Sequence, residues 1–251
     1  MSATNANRAA TEAVVLAAGK GTRMKSDLPN VLHELAGKPL LDHVLNTVEA
    51  AGVGHTVVVV GHKADLVRAT CRRDGLSFVL QEPQLGTGHA VQVAEHLLER
   101  EYCVVLAGDV PLLRVSTLGR LLDAAVDGEA AAVVLTCVVP DAGAYGRIVK
   151  NETGDVVRIV EAKDASAAEL AIGEYNTGVF CFRTDLLKEA LAALTTDNAQ
   201  GEYYLTDTVA HLVAAGHKVG AVATDDPGEV VGINTVNELA EAGRILAGRG
   251  D

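Results

Sequence analysis

The chain has 251 residues, enough for one large α/β domain or two small ones. Ala, Val and Leu dominate, aromatics make up 3% and Trp is absent, a composition that fits a packed sheet-and-helix core and argues against disorder. A net charge of −12 argues against nonspecific binding to nucleic acid, so any basic cluster here is a local feature.

Residues 1–12 read as a flexible leader. Ala13-Val14-Val15-Leu16 then reads as a buried strand. It runs into Ala17-Ala18-Gly19-Lys20-Gly21-Thr22-Arg23-Met24, where small residues let the backbone approach a ligand and its N–H groups can form an anion nest. Lys20, Arg23 and Lys25 add positive charge. Such a loop after a strand suits a phosphate at the carboxyl edge of an α/β sheet. The spacing rules out the P-loop, and Met24 occupies the third glycine position of the dinucleotide fingerprint. A Gly-rich turn with solvated charges is the plain alternative.

Further along, residues 40–51 have helical periodicity and 56–60 form a β-branched strand closed by Gly61. A helix over 63–73, a strand over 76–81 and a helix over 88–100 follow. A buried strand over 102–107 leads to Gly108-Asp109, then a helix over 116–126 and a strand over 131–139. This alternation predicts a Rossmann-like, mainly parallel sheet flanked by helices. After Pro140 the pattern changes. Strands over 146–150 and 156–160 flank a turn at 151–155, a hairpin pattern. An apolar strand over 174–182 precedes a helix over 184–194, for which Thr184 is the expected N-cap. A helix over 204–215, a strand over 218–223 and a terminal helix over 235–247 complete the chain. With no repeat or long linker, the second half should form a small lobe on the same sheet, without its own core.

The four cysteines form no C-x-x-C pair, and Cys103, Cys137 and Cys181 lie in apolar runs that suit buried free thiols. No signal peptide or membrane span is visible, which makes a cytoplasmic enzyme without membrane partners the expectation. The histidines show no metal spacing, and no G-x-S-x-G elbow is present.

Asp109 sits just past a buried strand, where a carboxylate points into the crevice in which α/β ligands bind. Mg²⁺ takes one or two protein oxygens beside substrate phosphates and waters, so Asp109 suits that role; a helix-capping Asp is the alternative. Gln81 opens a second Gly loop, Gln81-Glu82-Pro83-Gln84-Leu85-Gly86-Thr87-Gly88-His89. Its amide offers donor and acceptor to a pyrimidine edge, with Gly86 and Thr87 as backbone contacts, although a plain loop before a helix has the same spacing. Polar spots interrupt the second half at Tyr145-Gly146-Arg147, around Glu161 and at Asn176-Thr177-Gly178. Glu161 and Asn176 could hold sugar hydroxyls. Asn234 could be a second metal oxygen, though spacing alone favours an N-cap.

Together these motifs resemble the sugar-nucleotidyltransferase superfamily, and within it the N-acetylglucosamine-1-phosphate uridyltransferases of the GlmU type. The resemblance runs from about Val14 to Leu239. The L-A-A-G-x-G-T-R-M loop marks the superfamily. Gln81 with Leu85-Gly86-Thr87-Gly88-His89-Ala90, Tyr145-Gly146-Arg147, Asn176-Thr177-Gly178 and the run from Asn198 to Asp207 are more specific. It implies a nucleotide-diphospho-sugar transferase fold over 13–234 with a small sugar-binding lobe. Leu16, Ala17, Ala18, Gly19, Gln81, Gly86, Thr87, Ala107 and Gly108 would bind the nucleotide, with Gln81, Gly86 and Thr87 reading uracil. Arg23 would neutralise the triphosphate. Asp109 and Asn234 would hold Mg²⁺. Gly146, Glu161 and Asn176 would hold the N-acetylglucosamine moiety, with Tyr204 and Thr206 lining its pocket. The implied reaction joins UTP and N-acetylglucosamine 1-phosphate into UDP-N-acetylglucosamine and pyrophosphate, a cell-wall precursor step. Its nucleophile is already an anion, so alignment and charge neutralisation would carry catalysis.

Two departures qualify this. Where the family reads S-D-L-P-K-V-L-H, this chain reads Ser26-Asp27-Leu28-Pro29-Asn30-Val31-Leu32-His33. Asn30, at a catalytic position, donates hydrogen bonds but carries no charge, and a lost transition-state donor costs on the order of 10²–10³ in rate. Lys20, Lys25 and Lys163 are the candidates to compensate. Ala107 stands where some relatives have an aromatic. A transferase of other sugar specificity, or a nucleotide-sugar binding protein with impaired turnover, are the alternative readings. The family's β-helix acetyltransferase half is missing, so 235–251 reads as the start of the arm leading to it, no acetyl-CoA activity is expected, and the oligomeric state is open.

Overall fold

A computed structural model describes residues 8–128 and 130–249; most of the expected leader, residues 1–7, lies outside the described residues. Arg8 is tied to Asp123 by bonds of 3.0 and 2.6 Å. The first strand, β1 (Thr11–Ala17), takes in the last two residues assigned to the leader.

In chain order there follow β2 (Glu34–Leu35), β3 (Lys38–Pro39), α1 (Leu40–Ala50), β4 (His55–Val60), α2 (Ala64–Thr70), β5 (Leu76–Leu80), α3 (Thr87–Ala94), β6 (Tyr102–Ala107), α4 (Val115–Asp127), β7 (Ala132–Val138), β8 (Arg147–Lys150), β9 (Val156–Val160), α5 (Ala167–Leu170), β10 (Glu174–Arg183), α6 (Thr184–Ala192), α7 (Asp207–Ala214), β11 (Val219–Thr224) and α8 (Val236–Gly248). The main sheet has the order β11-β7-β10-β6-β1-β4-β5. β1, β4, β5 and β6 run parallel, so their carboxyl ends share one edge. β10 is antiparallel to both β6 and β7, and β8 extends the sheet by pairing antiparallel with β10 and with β9.

The strands alternate between two apolar layers, as period-2 side chains must when both faces are covered. Val15, Val58 and Val104 pack on one face with Leu45 and Val48 of α1 and Leu118, Leu121 and Leu122 of α4. Val14, Val57 and Val105 pack on the other with Val91 of α3 and Leu187 and Leu191 of α6. Ile148 of β8 and Val156 and Ile159 of β9 join this second layer, so the lobe shares the core of the sheet, as expected. A smaller cluster joins Met24, Leu40, Leu112 and Ile233 to Ala242 of α8, seating the last helix against the loop after β1.

The structure corrects several boundaries. Thr184 is not a cap: the chain turns from strand to helix at Arg183, Thr184 is already in the first turn, and its buried Oγ1 has no partner. The helix expected over 63–73 stops at Thr70, and the one over 88–100 gives way to a 3₁₀ turn at Glu95–Leu97. Tyr204 and Leu205 precede α7 rather than start it. All four cysteines are buried free thiols. No helix among the described residues is long and apolar enough to cross a membrane.

Candidate active site

The loop after β1 leaves the sheet with Ala17 and Ala18 buried and Gly19 exposed. A Cβ placed on Gly19 would meet nothing within 4 Å, so the backbone there is open to a ligand. The carbonyl of Ala18 is held from two sides, by Gln84 Nε2 at 2.6 Å and by the His62 N–H at 3.2 Å. Gly61 makes this possible, because a Cβ there would come within 2.5 Å of Gln84 Nε2 and 2.8 Å of the Ala18 oxygen.

Gln81 leaves β5 buried. Its backbone N–H donates to Val60 O at 2.8 Å, and its Nε2 donates to Gly86 O at 2.9 Å. The loop it opens is stitched to residues 203–205: Gly88 donates to Tyr203 O at 2.7 Å, Tyr203 donates to Leu85 O at 2.8 Å, and Leu205 donates to Thr87 Oγ1 at 3.1 Å. A cavity of about 300 Å³ lies between this loop and the loop after β1. Six residues of the expected nucleotide set line it, Leu16, Ala18, Gly19, Gln81, Gly86 and Thr87, together with Gln84, Ala90 and Glu202. Ala17 lies beneath, and Ala107 and Gly108 sit at the next strand end, joined to β1 through Gly108 N–H to Leu16 O at 2.8 Å.

Asp109 follows β6 on the same sheet edge. Its backbone carbonyl accepts from Ile233 N–H at 2.9 Å, which brings Asn234 alongside. Asn30 lies between them: its Nδ2 donates to Ile233 O at 2.6 Å and Asp109 Oδ2 at 3.1 Å, and stands 3.4 Å from Asn234 Oδ1. Asn30 therefore faces the two candidate metal ligands. Burial pushes the Asp109 carboxyl up to about 6, against the pull of its own backbone N–H, the Arg23 charge and the Asn30 hydrogen bond. Arg23 itself is exposed, on a 3₁₀ turn at Thr22–Met24. Asn234 is not the cap of α8; Thr235 is, accepting from Glu238 N–H at 3.2 Å. Among the described residues no group of three or more His, Cys, Asp or Glu converges as a metal cluster.

The third group belongs to the lobe. The β10–β7 register shifts between Asn176 and Phe180, and Asn176 lies where that irregularity begins. Its N–H donates to Gly146 O at 2.8 Å, and its Oδ1 accepts from Gly178 N–H at 2.9 Å. A Cβ on Gly146 would come within 3.5 Å of the Glu161 carboxylate. Glu161 Oε1 accepts from Thr206 Oγ1 at 3.0 Å, and Tyr204 OH donates to Asp164 Oδ2 at 3.3 Å. Burial raises the Glu161 pKa; the Thr206 hydroxyl opposes this, while Asp207 and Asp164 add to it. The five expected sugar residues thus form one contiguous group. Lys163, a candidate for replacing the missing charge, instead donates to Gln200 Oε1 at 2.6 Å.

Sequence reasoning did not single out Gln84 or Glu202. Gln84 stood in the quoted Gly loop, and Glu202 in the quoted run from Asn198 to Asp207. The signal that could have found them is a polar side chain flanking a glycine that a ligand-sized gap requires.

A family model described as MobA-like NTP transferase domain matches residues 13–215. Among curated proteins, the chain is 54% identical over 232 residues to the bifunctional protein GlmU of Brevibacillus brevis, covering 92% of this chain and 50% of that protein. It is 53% identical to the GlmU of Bordetella petrii and 51% to that of Burkholderia thailandensis, each time over 92% of this chain and 51% of the relative. The chain therefore spans about half the length of the curated relatives it matches. A solved nucleotidyl transferase from Methanothermobacter thermautotroptrophicus shares the fold, with a TM-score of 0.66 at 19% identity over 96% of this chain and 99% of that one.

Proposed function

The chain belongs to the MobA-like NTP transferase domain family, and from that premise we propose that it transfers the uridylyl group of UTP to N-acetylglucosamine 1-phosphate. The products are UDP-N-acetylglucosamine and pyrophosphate. One observation carries this reading: a base-sized cavity with Gln81 in its wall opens on the same sheet edge as Asp109, across the phosphate loop. The identity above 50% to proteins named GlmU supports the choice of substrates.

In this reading Gln81 and the Gly86–Thr87 backbone hold uracil, while the loop from Leu16 to Gly19 holds the nucleotide against β1. Arg23 faces the triphosphate. Gly146, Glu161 and Asn176, with Tyr204 and Thr206 behind them, hold the amino sugar and aim its phosphate oxygen at the α-phosphorus. That P–O bond forms as the bond to pyrophosphate breaks, with the leaving group roughly in line. The attacking oxygen is already anionic, so no general base is needed. The chain's task is alignment and charge neutralisation.

Asp109 and Asn234 offer the oxygen donors that suit Mg²⁺, which prefers one or two protein carboxylates and keeps its remaining positions for phosphates and waters. When bound, Mg²⁺ would neutralise phosphate charge and orient the triphosphate. Asp109 would be held ionised beside it, against the burial that otherwise raises its pKa.

The test is pyrophosphate release from UTP and N-acetylglucosamine 1-phosphate, with Mg²⁺ or with EDTA. The expected outcome is release that needs both substrates and Mg²⁺, and that falls sharply when glucose 1-phosphate or ATP is substituted. Binding of UDP-N-acetylglucosamine without any turnover would instead make the chain a nucleotide-sugar binding protein.

A further inference from the structure

Arg147, at the start of β8, carries a charge into the interior of the lobe. It is 2% exposed, a burial at which an arginine is ordinarily paired with a carboxylate. Its guanidinium instead turns back on the chain just before it. Nη2 donates to Gly143 O at 3.0 Å, Nη1 donates to Tyr145 O, and Nε has no partner. The turn it grips is closed by Tyr145 N–H to Ala142 O at 3.1 Å, and the Tyr145 ring stacks on Tyr175 with 4.7 Å between centroids. Those two contacts hold the Cα of Tyr145 but leave the plane of the next peptide free to rotate.

That peptide joins Tyr145 to Gly146. A peptide is planar and trans, so its C=O and N–H point opposite ways. A guanidinium that holds Tyr145 O therefore also aims the Gly146 N–H. Gly146 is buried, and a Cβ on it would stand 3.5 Å from the Glu161 carboxylate. Its carbonyl is taken by the Asn176 N–H at 2.8 Å, while its own N–H makes no hydrogen bond among the described residues. A buried backbone donor without a partner is rare, and this one is left for an acceptor oxygen. Glycine adopts φ of either sign, so a half-turn of this peptide meets little local resistance. It would put an oxygen where the donor stands.

We propose that Arg147 is a positioning residue for the sugar. It keeps the Tyr145–Gly146 peptide turned so that the Gly146 N–H is offered to a hydroxyl or acetamido oxygen of the N-acetylglucosamine moiety. Its charge on the carbonyl also polarises the peptide and strengthens the donor at the other end. The main-chain donor of this wall is thus set by a side chain. A lysine would keep the charge but lose the planar fork that spans two carbonyls. The inference rests on the reading of Gly146, Glu161 and Asn176 as the sugar wall.

The experiment compares binding of UDP-N-acetylglucosamine and of UDP by calorimetry in the native protein, Arg147→Lys and Arg147→Met. Beside it, the Gly146 amide is followed in a nitrogen-15 NMR spectrum of the native protein. That amide proton should move downfield when UDP-N-acetylglucosamine is added and stay in place with UDP. Arg147→Met should bind the UDP-sugar about 10- to 100-fold more weakly, with affinity for UDP unchanged, and Arg147→Lys should fall between. Melting curves separate lost orientation from lost fold; should Arg147→Met not fold, Arg147→Lys carries the comparison. A Gly146 amide unmoved by the UDP-sugar, or a native preference for the UDP-sugar over UDP kept in the variants, would overturn the role of Arg147 and leave the sugar wall standing. A native protein that binds UDP-N-acetylglucosamine no more tightly than UDP would remove the sugar-wall reading itself.

Discussion

On the proposed nucleotide side of the crevice the groups offered to a ligand are mostly backbone. Gly19, Gly86 and Thr87 present main chain, and the two amides, Gln81 and Gln84, are locked by backbone carbonyls, of Gly86 at 2.9 Å and of Ala18 at 2.6 Å. On the proposed sugar side they are side chains: Glu161, Asn176, Thr206 and Tyr204, carried by the turn just after β9, by β10 and by the segment before α7. The proposed nucleotide wall is shaped by Gly61, Gly86 and Gly88, which leave no room for a Cβ, and by strand ends that share one edge. The proposed sugar wall is shaped by a half-buried carboxylate whose ionisation burial opposes. The first wall should therefore fail by losing its fold, and the second by losing its chemistry while the fold survives.

The largest effect belongs to the point both walls share. Asp109→Ala removes the carboxylate that faces Asn30 and Asn234, and turnover should fall by about 10³. Burial opposes that charge, so the melting temperature should stay or rise. UTP binding with kcat intact would detach Asp109 from catalysis. Next comes Glu161→Gln on the sugar wall. The loss of a charged acceptor should lower kcat/KM for the sugar phosphate roughly 10- to 100-fold while KM for UTP holds. A folded-state pKa above the usual 4.5 means that Glu161 favours the fold below that value and costs stability as pH rises through the folded pKa. Glu161→Gln should thus melt no lower than the native protein at neutral pH.

Gly86→Ala is the matching change on the nucleotide wall. The new Cβ would lie 2.6 Å from Tyr203 O, on a residue with φ of 110°. Stability should drop by about 2 kcal/mol or more, and KM for UTP should rise with it. An alanine variant with native melting and a raised KM for the sugar phosphate alone would break the contrast between the walls.

The nucleotide wall was also the more legible in sequence. A β-branched run ending in a glycine loop announces both a strand and its carboxyl edge, and the parallel order of β1, β4, β5 and β6 follows from the helices between them. The sugar wall depends on features with no local signature. An apolar run over 174–182 suits either strand direction when both faces are buried, so nothing in it showed that β10 lies antiparallel between β6 and β7. The register shift beyond Asn176 arises from pairing with β7, a tertiary matter. The motif placed Asn30 in the site, yet its direction came only with Asp109 and Ile233, which are 79 and 203 residues away.

The smallest expected change is the one that reads the sugar wall most directly. Thr206 Oγ1 donates to Glu161 Oε1 at 3.0 Å and is the contact that pulls the raised carboxyl pKa back down. Thr206→Val keeps the shape and removes that donor. At high pH, where Glu161 is ionised in both proteins, kcat/KM for the sugar phosphate should fall only roughly fivefold. On acidification the two should part. Without the hydroxyl, Glu161 takes up its proton at higher pH, so the acid limb of the profile should move upward. The substrate's own phosphate titrates identically against both enzymes, so the difference between the two profiles isolates the protein group. An acid limb at the same pH in both would mean that ionised Glu161 is not what grips the sugar. The sugar wall would then resemble the nucleotide wall, set by backbone and shape.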